Sequence, residues 1–213
     1  MWVGAAVAAG IIAVILFRTP SASSYQPAMY ASAIPANAGV SVEQPWSATR
    51  GAADGISEHA RAARVGVLLT DIELDAIRHD TSNAHLLSLA ALLTSTSASG
   101  PVLSSIETLT STRTAPSPEQ VHAVGKQALA LVDKPVADAG AYLEAARIAT
   151  LSGDTTFIHA LPPTALLPLI DDARFNAATK DALRALETGL SKRPVNSQQL
   201  GAELTRVLQL LAQ

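Results

Sequence analysis

The sequence predicts an all-α protein built from an N-terminal transmembrane helix, an extended linker and a compact bundle of about seven or eight short helices. Three observations lead to this prediction. Residues 1–17 contain no charged side chain, prolines recur between residues 19 and 56, and apolar residues from 57 onward follow a helical period without a convincing strand pattern. We therefore expect three parts, at 1–18, 19–56 and 57–213.

Composition narrows the classes of function that this chain can serve. It has no cysteine, which excludes disulfides, thiolate metal ligands and cysteine nucleophiles. Aromatic residues make up only 4%, so a core of Leu and Ala packed between helices is favoured over a sheet. The net charge is −3 and no Lys/Arg cluster is present, so we expect no nucleic-acid partner.

Residues 1–17 form the predicted membrane anchor. As a helix they extend about 25 Å, the short limit for crossing the hydrocarbon core. Arg18 can snorkel and Trp2 can lie in the interface, which lengthens the span. A cleavable signal peptide is the alternative, with Ser21-Ala22-Ser23 as a tolerable cleavage site, although no basic residue precedes the apolar run. Arg18 is the only charged flank, so the side of the membrane that holds the domain stays open.

Small residues within the anchor recur at helical spacing. They suit close packing against another membrane helix, although Ala and Gly are also simply frequent in such spans. The span contains no His, Asn, Asp or Glu, so it offers no side-chain ligand for a haem, and we expect no cofactor. The predicted helix-packing residues are Gly4, Ala6, Ala8 and Gly10.

Residues 19–56 read as an extended linker. Pro20, Pro27, Pro35 and Pro45 interrupt any apolar period over this range. A few bulky residues stand among Ser, Ala, Gln and Asn, and they are either anchors on the surface of a partner protein or incidental. The candidate partner contacts are Tyr25, Met29, Tyr30, Ile34 and Trp46.

The helical domain is predicted from start and stop signals together with apolar stripes. Ser117 followed by Pro118 and Gln120 forms a capping box. Gly100-Pro101 and Lys134-Pro135 are interpreted as breaks. The predicted helices cover 57–80, 83–93, 102–109, 117–134, 139–152, 162–170, 172–188 and 197–211, with a short turn at 154–159.

One segment carries a resemblance. Residues 141–149 (AYLEAARIA), followed by Gly153, Asp154 and Phe157, resemble one helix–turn–helix of a tetratricopeptide-type repeat. The resemblance covers about twenty residues, and no second copy recurs at the 34-residue period that this family requires. It implies helical-hairpin packing and not membership of the family.

Polar residues that often carry chemistry are present without a catalytic motif. Asp71, Glu73 and Asp75 are expected to form a solvated acidic face, with Asp71 and Asp75 on one side of a helix. His79 and His85 across a turn are considered as metal ligands, but surface histidines are the favoured interpretation. No zinc-protease, phosphate-loop or nucleophile-elbow motif occurs, so we expect no catalytic or metal residue.

These observations favour a non-catalytic, membrane-anchored structural or interaction subunit of a larger integral-membrane complex, for example a respiratory, photosynthetic or secretion assembly. The expected partners are other membrane-protein subunits and, through residues 1–17, the lipid bilayer; no small-molecule substrate is evident. The first alternative is a secreted or periplasmic helical adaptor, released by signal-peptide cleavage. The second is an enzyme with a site assembled from distant residues, which predicts a deep polar pocket.

Overall fold

A computed structural model describes residues 25–34, 55–112, 114–153, 155–191 and 196–213. In these ranges the chain is helical and contains no strand, which confirms the all-α prediction. The helices are α1 (Gln26–Ser32), α2 (Glu58–Arg78), α3 (Ala84–Leu93), α4 (Gly100–Thr110), α5 (Pro118–Leu129), α6 (Lys134–Leu151), α7 (Thr156–Ala160), α8 (Leu167–Ile170, after a 3₁₀ turn at Thr164–Leu166), α9 (Ala177–Ser191) and α10 (Ser197–Leu211).

Helices α2 and α6 lie at the centre because glycine lets their backbones touch. A Cβ atom on Gly66 of α2 would lie 1.9 Å from the Ala137 carbonyl oxygen, and one on Gly140 of α6 would lie 2.3 Å from the Ala63 carbonyl oxygen. Beyond this crossing, the Thr70 hydroxyl lies 3.3 Å from the carbonyl oxygen of residue 141.

The remaining helices divide into two groups around this central pair. Helices α3, α4 and α5 close one hydrophobic core against α2, with Leu89, Leu93 and Ile106 fully buried. Helices α7 to α10 close a second core on the side of α6, with Phe157 and Leu183 fully buried. Each core is composed mainly of Leu, Ile, Val and Ala, as the composition predicts.

The range predicted as extended linker includes a helix. Residues 26–32 form α1, which packs on both α2 and α6 and buries Tyr30 and Ala31. Pro27 does not disrupt it, because it lies in the first turn, where a backbone N–H has no helical partner. The proline spacing therefore marks a helix start at this position and not extended chain.

The same property of proline explains two further differences. Pro101 and Pro135 lie in the first turns of α4 and α6, at positions that the sequence pattern marks as breaks. Asp133 is the N-cap of α6, and its carboxylate accepts a hydrogen bond from the Val136 N–H at 3.3 Å. The central helix consequently begins five residues earlier than the sequence predicts.

Two other local predictions have clear outcomes. The capping box at Ser117 is present, with both of its reciprocal hydrogen bonds to Gln120.

In the segment that resembles a tetratricopeptide-type hairpin, α6 is followed by an α7 of only five residues. The second arm of such a hairpin is therefore little more than one turn.

Within the described ranges, no helix has the length and apolar character needed to cross a membrane. The predicted anchor, with Gly4, Ala6, Ala8 and Gly10, lies outside those ranges, as does Trp46.

Candidate functional site: buried acidic residues around the central helix

Three carboxyl side chains are enclosed in the interior around α2. Asp71 and Glu73 of α2 are each 1% exposed, and Glu144 of α6 is 0% exposed. This overturns the expectation of a solvated acidic face at 71–75. The reason is that neighbouring helices cover α2 on several sides, so no face at this level of the helix is left to water.

Asp71 belongs to a buried group at the α2–α6 interface. Arg147 donates two hydrogen bonds to Glu144, from Nε at 2.8 Å and from Nη2 at 2.6 Å, in a bidentate ion pair. Both carboxyl oxygens of Asp71 are buried without a hydrogen-bond partner. Burial, followed by the negative charge of Glu144, raises the pKa of Asp71 well above its usual range. A neutral Asp71 beside a charge-balanced pair leaves this group without net charge.

The Glu144–Arg147 ion pair is buried inside the domain. Burial alone would lower the pKa of Arg147, but the hydrogen bonds and the charge of Glu144 outweigh burial and raise it. Glu144 and Arg147 lie one turn apart on α6, so the bidentate pair holds the two side chains together on this helix, next to Asp71 of α2.

Glu73 points away from Asp71, toward α5 and the residue that precedes α1. Its Oε1 lies 3.5 Å from Nδ1 of His122. That nitrogen also lies 2.8 Å from the carbonyl oxygen of Pro118, which can only accept, so Nδ1 carries a proton. Burial raises the pKa of Glu73 to about 8, although a favourable interaction with the Tyr25 hydroxyl opposes the shift.

Tyr25 lies against Glu73 and His122 and completes a second buried group with them. Its ring centroid lies 4.9 Å from that of His122, and its side chain fits over Gly125, where a Cβ atom would lie 1.8 Å from the hydroxyl oxygen. The Tyr25 hydroxyl is buried and makes no hydrogen bond with good distance and angle. Burial, and then the charge of Glu73, raises the pKa of Tyr25 far above its ordinary value, so the phenol stays neutral.

The histidines considered as metal ligands are placed apart from these groups. His85 pairs with Asp75 through Nδ1 at 2.6 Å, and this hydrogen bond raises the pKa of His85. His79 is the left-handed C-cap of α2, with φ of +55°. Among the residues that the structure describes, no three His, Asp or Glu side chains are arranged to hold a metal ion.

The structure places four of the five candidate partner contacts. Tyr25, Tyr30 and Ile34 are buried, and Met29 packs at the edge of the core. All four contact the helical domain of the same chain. Tyr30 meets the rings of Tyr142 and Phe157, with centroids 5.6 and 6.3 Å away. Contact with another protein remains a prediction.

Two open cavities lie on the surface of the described residues. One, of about 420 Å³, lies between α1 and the start of α6, with Met29, Tyr30 and Asp138 among its walls. The other, of about 620 Å³, lies between the end of α6 and α10, beside Leu151 and Arg206. Neither is lined by the buried carboxyl groups, which are therefore not presented to a ligand in these cavities.

Sequence reasoning did not assign Glu144, Arg147, His122 or Gly125 to a buried group. The available signal was Glu-x-x-Arg within the alanine-rich run of α6, because an acid and a base three residues apart on an otherwise apolar helix have no solvated face to occupy.

Comparison of the chain with protein-family models, with curated proteins and with solved structures finds no match. Its function is therefore argued from its own residues.

Proposed function

We propose that this chain is a non-catalytic, membrane-anchored interaction subunit of a larger integral-membrane complex. The observation that carries the proposal is the short covalent link between the apolar residues 1–17 and the buried Tyr25. The eight Cα-to-Cα steps from residue 17 to residue 25 span at most about 29 Å when fully extended. A domain attached in this way is held beside the bilayer, where it can contact neighbouring membrane subunits.

The chemistry of the described interior supports a non-catalytic role. The buried carboxyl groups are enclosed between helices, where they balance charge at the α2–α6 interface or face the segment before α1. A catalytic acid or base must reach a substrate atom, directly or through one water. In this chain the arrangement favours assembly and positioning of helices.

The surface of α3 and α4 supports an interaction role. Residues 81–112 carry one formally charged side chain, Glu107, among many Ser, Thr and Ala residues. Leu87 on this surface is 57% exposed. Depletion of charge around an exposed apolar side chain is characteristic of the central part of protein interfaces.

Purification of the full-length tagged chain from membranes in a mild detergent tests the proposal. We expect a stoichiometric larger assembly that is lost with Leu87→Glu. Leu167→Glu is the matched control, since Leu167 is 51% exposed at the other side of the domain and should leave the assembly intact. A chain that always migrates alone, or that stays in the soluble fraction, would contradict the proposal.

A second candidate is a secreted or periplasmic adaptor. It is favoured by the position of Ser21-Ala22-Ser23, because cleavage after Ser23 would remove the apolar segment and leave Tyr25 and α1 intact. Intact-mass measurement distinguishes the two candidates, since a mature chain beginning at Ser24 has no anchor.

A further inference from the structure

Residues 25–34, here called the N-terminal strap, lie at the junction of α2, α5 and α6. The strap contains α1, a helix of seven residues, which is too short to be stable without packing. It is held by two aromatic anchors. Tyr25 fits the notch over Gly125, and Tyr30 rests on Tyr142 and Phe157.

The contact of the strap with α2 and α5 buries two polar atoms that make no well-formed hydrogen bond, the Tyr25 hydroxyl oxygen and Oε1 of Glu73. Burial of such an atom is costly, and the cost is much larger when the group is charged. At Glu73 the effect of burial exceeds the opposing effect of the Tyr25 hydroxyl, which favours the ionised carboxyl. The strap therefore docks most favourably on a neutral Glu73.

The charged and titratable groups around this contact are few. Tyr25 faces Glu73 from the strap, and His122 faces it from α5. On the side of α6, Tyr30 faces Asp138, which pairs with Lys134. No basic side chain is recorded within ion-pair distance of Glu73 among the described residues, apart from His122.

We propose that the N-terminal strap is a proton-linked closing element, which docks on the domain when the Glu73 carboxyl is neutral and leaves it when that carboxyl is ionised. Departure uncovers the Gly125 notch and the rings of Tyr142 and Phe157. The proposal depends on the fold alone and holds whether or not residues 1–17 span a membrane.

The sign of the effect follows from the two states of Glu73. With the strap docked, the pKa of Glu73 is about 8; without it, Glu73 is less buried and its pKa falls in the direction of the ordinary value of 4.5. Docking is therefore fully favourable below about pH 4.5 and weakens as pH rises to about 8, by at most about tenfold per pH unit. Above about pH 8, Glu73 is ionised whether the strap is docked or released, and the contribution of the neutral carboxyl to docking is fully lost.

Hydrogen–deuterium exchange on the full chain between pH 5 and pH 9 tests the proposal. The informative amides belong to residues 29, 33 and 34, which donate hydrogen bonds within the strap. After correction for the intrinsic exchange rate at each pH, we expect their protection to fall steeply as pH rises. Amides of α6 should keep their protection, because the domain itself stays folded.

Glu73→Gln is the decisive variant, since it keeps the shape of the side chain and removes its charge. We expect the strap of this variant to stay protected across the whole range. His122→Gln should retain the steep fall, which assigns the titration to Glu73. The proposal would be overturned if strap protection fell with pH as steeply in the Glu73→Gln variant as in the unmodified chain. It would also be overturned if strap protection in the unmodified chain did not depend on pH.

A thiol probe gives a second measurement. The chain has no cysteine, and Ala31 in the strap is fully buried, so Ala31→Cys reports docking by its alkylation rate relative to the denatured chain at the same pH. We expect this relative rate to rise with pH, and to stay low when Glu73→Gln is added. Similar relative alkylation rates of Ala31→Cys with and without Glu73→Gln would contradict the proposed role of the strap.

Discussion

The side chain of Tyr25 occupies the space that a methyl group on Gly125 would need, with the hydroxyl oxygen only 1.8 Å from the position of the missing Cβ. A residue from the start of the described chain is thus registered against a single glycine one hundred positions later. The strap and α5 are matched in shape at this point, and either residue alone can disrupt the match.

Gly125→Ala should displace the strap without unfolding the domain. The added methyl group cannot coexist with the Tyr25 hydroxyl, and overpacking of this kind costs about 1–3 kcal/mol. We expect faster exchange at the strap amides and unchanged exchange in α6. Gly189→Ala in α9 is the matched control, because its Cβ would meet the flexible end of Glu203 at 3.3 Å and make an ordinary contact with Leu200 at 4.0 Å. Loss of strap protection in both variants would contradict this explanation.

Gly140→Ala should destabilise the whole domain. Its Cβ would lie 2.3 Å from the backbone oxygen of Ala63, so the two central helices must separate. We expect a loss of free energy of unfolding at or above the upper end of the roughly 1–3 kcal/mol typical of overpacking. Urea unfolding followed by circular dichroism measures it, and Gly201→Ala, whose Cβ would lie 3.4 Å from the Thr150 hydroxyl, is the control. Equal midpoints for the two variants would argue against the close crossing of α2 and α6.

Asp71→Asn should change how stability depends on pH. The pKa of Asp71 is raised in the folded domain, so its contribution is fully present below its ordinary value of 3.8 and is lost as pH rises toward the folded value. Asparagine has no charge to bury. We therefore expect the free energy of unfolding of the variant, relative to the unmodified chain, to improve from pH 4 to pH 8. If the free energies of unfolding of the two chains changed with pH in parallel over this range, the pKa of Asp71 would not differ between the folded and unfolded states.

Arg147→Met should be strongly destabilising, because it leaves Glu144 charged and buried without a partner. Breaking a buried ion pair from one side costs about 3–5 kcal/mol. Adding Glu144→Gln in the same chain removes the stranded charge and should restore much of the loss. Thermal unfolding of both single variants and the double variant measures the coupling. Strictly additive losses would mean that the pair makes no specific contribution.

Sequence patterns predicted α2 and α10 closely, with α2 expected at 57–80 and found at Glu58–Arg78, while the start of α6 was misplaced. Leu200, Leu204 and Leu208 of α10 repeat every four residues and all lie in the core, and the capping box at Ser117 starts α5 as expected. These features are local, so a single segment contains the information. The anchors of the strap were recognised as bulky residues that need a surface, but their surface is formed by helices far away in the chain.

The buried acids could not be anticipated from periodicity. A carboxyl group is assigned to water by default, because burial is costly unless a partner or a proton compensates it. For Asp71 the compensation comes from a raised pKa and from the neighbouring Glu144–Arg147 pair on α6. The Glu144–Arg147 pair has a local signal in its three-residue spacing, but its position beside Asp71 depends on the tertiary contact of two helices, which no local pattern contains.

The close contact between α2 and α6 has a consequence for synthesis of the chain. The Thr70 hydroxyl and the carbonyl oxygen it meets on α6 are 71 positions apart, so the small-residue face of α2 leaves the ribosome well before α6 exists. At about 5–20 residues per second, this interval lasts several seconds. During it, α3 to α5 can already pack on one flank of α2, while the glycine face and Asp71 wait for α6 and remain open to chaperones or to a neighbouring nascent chain.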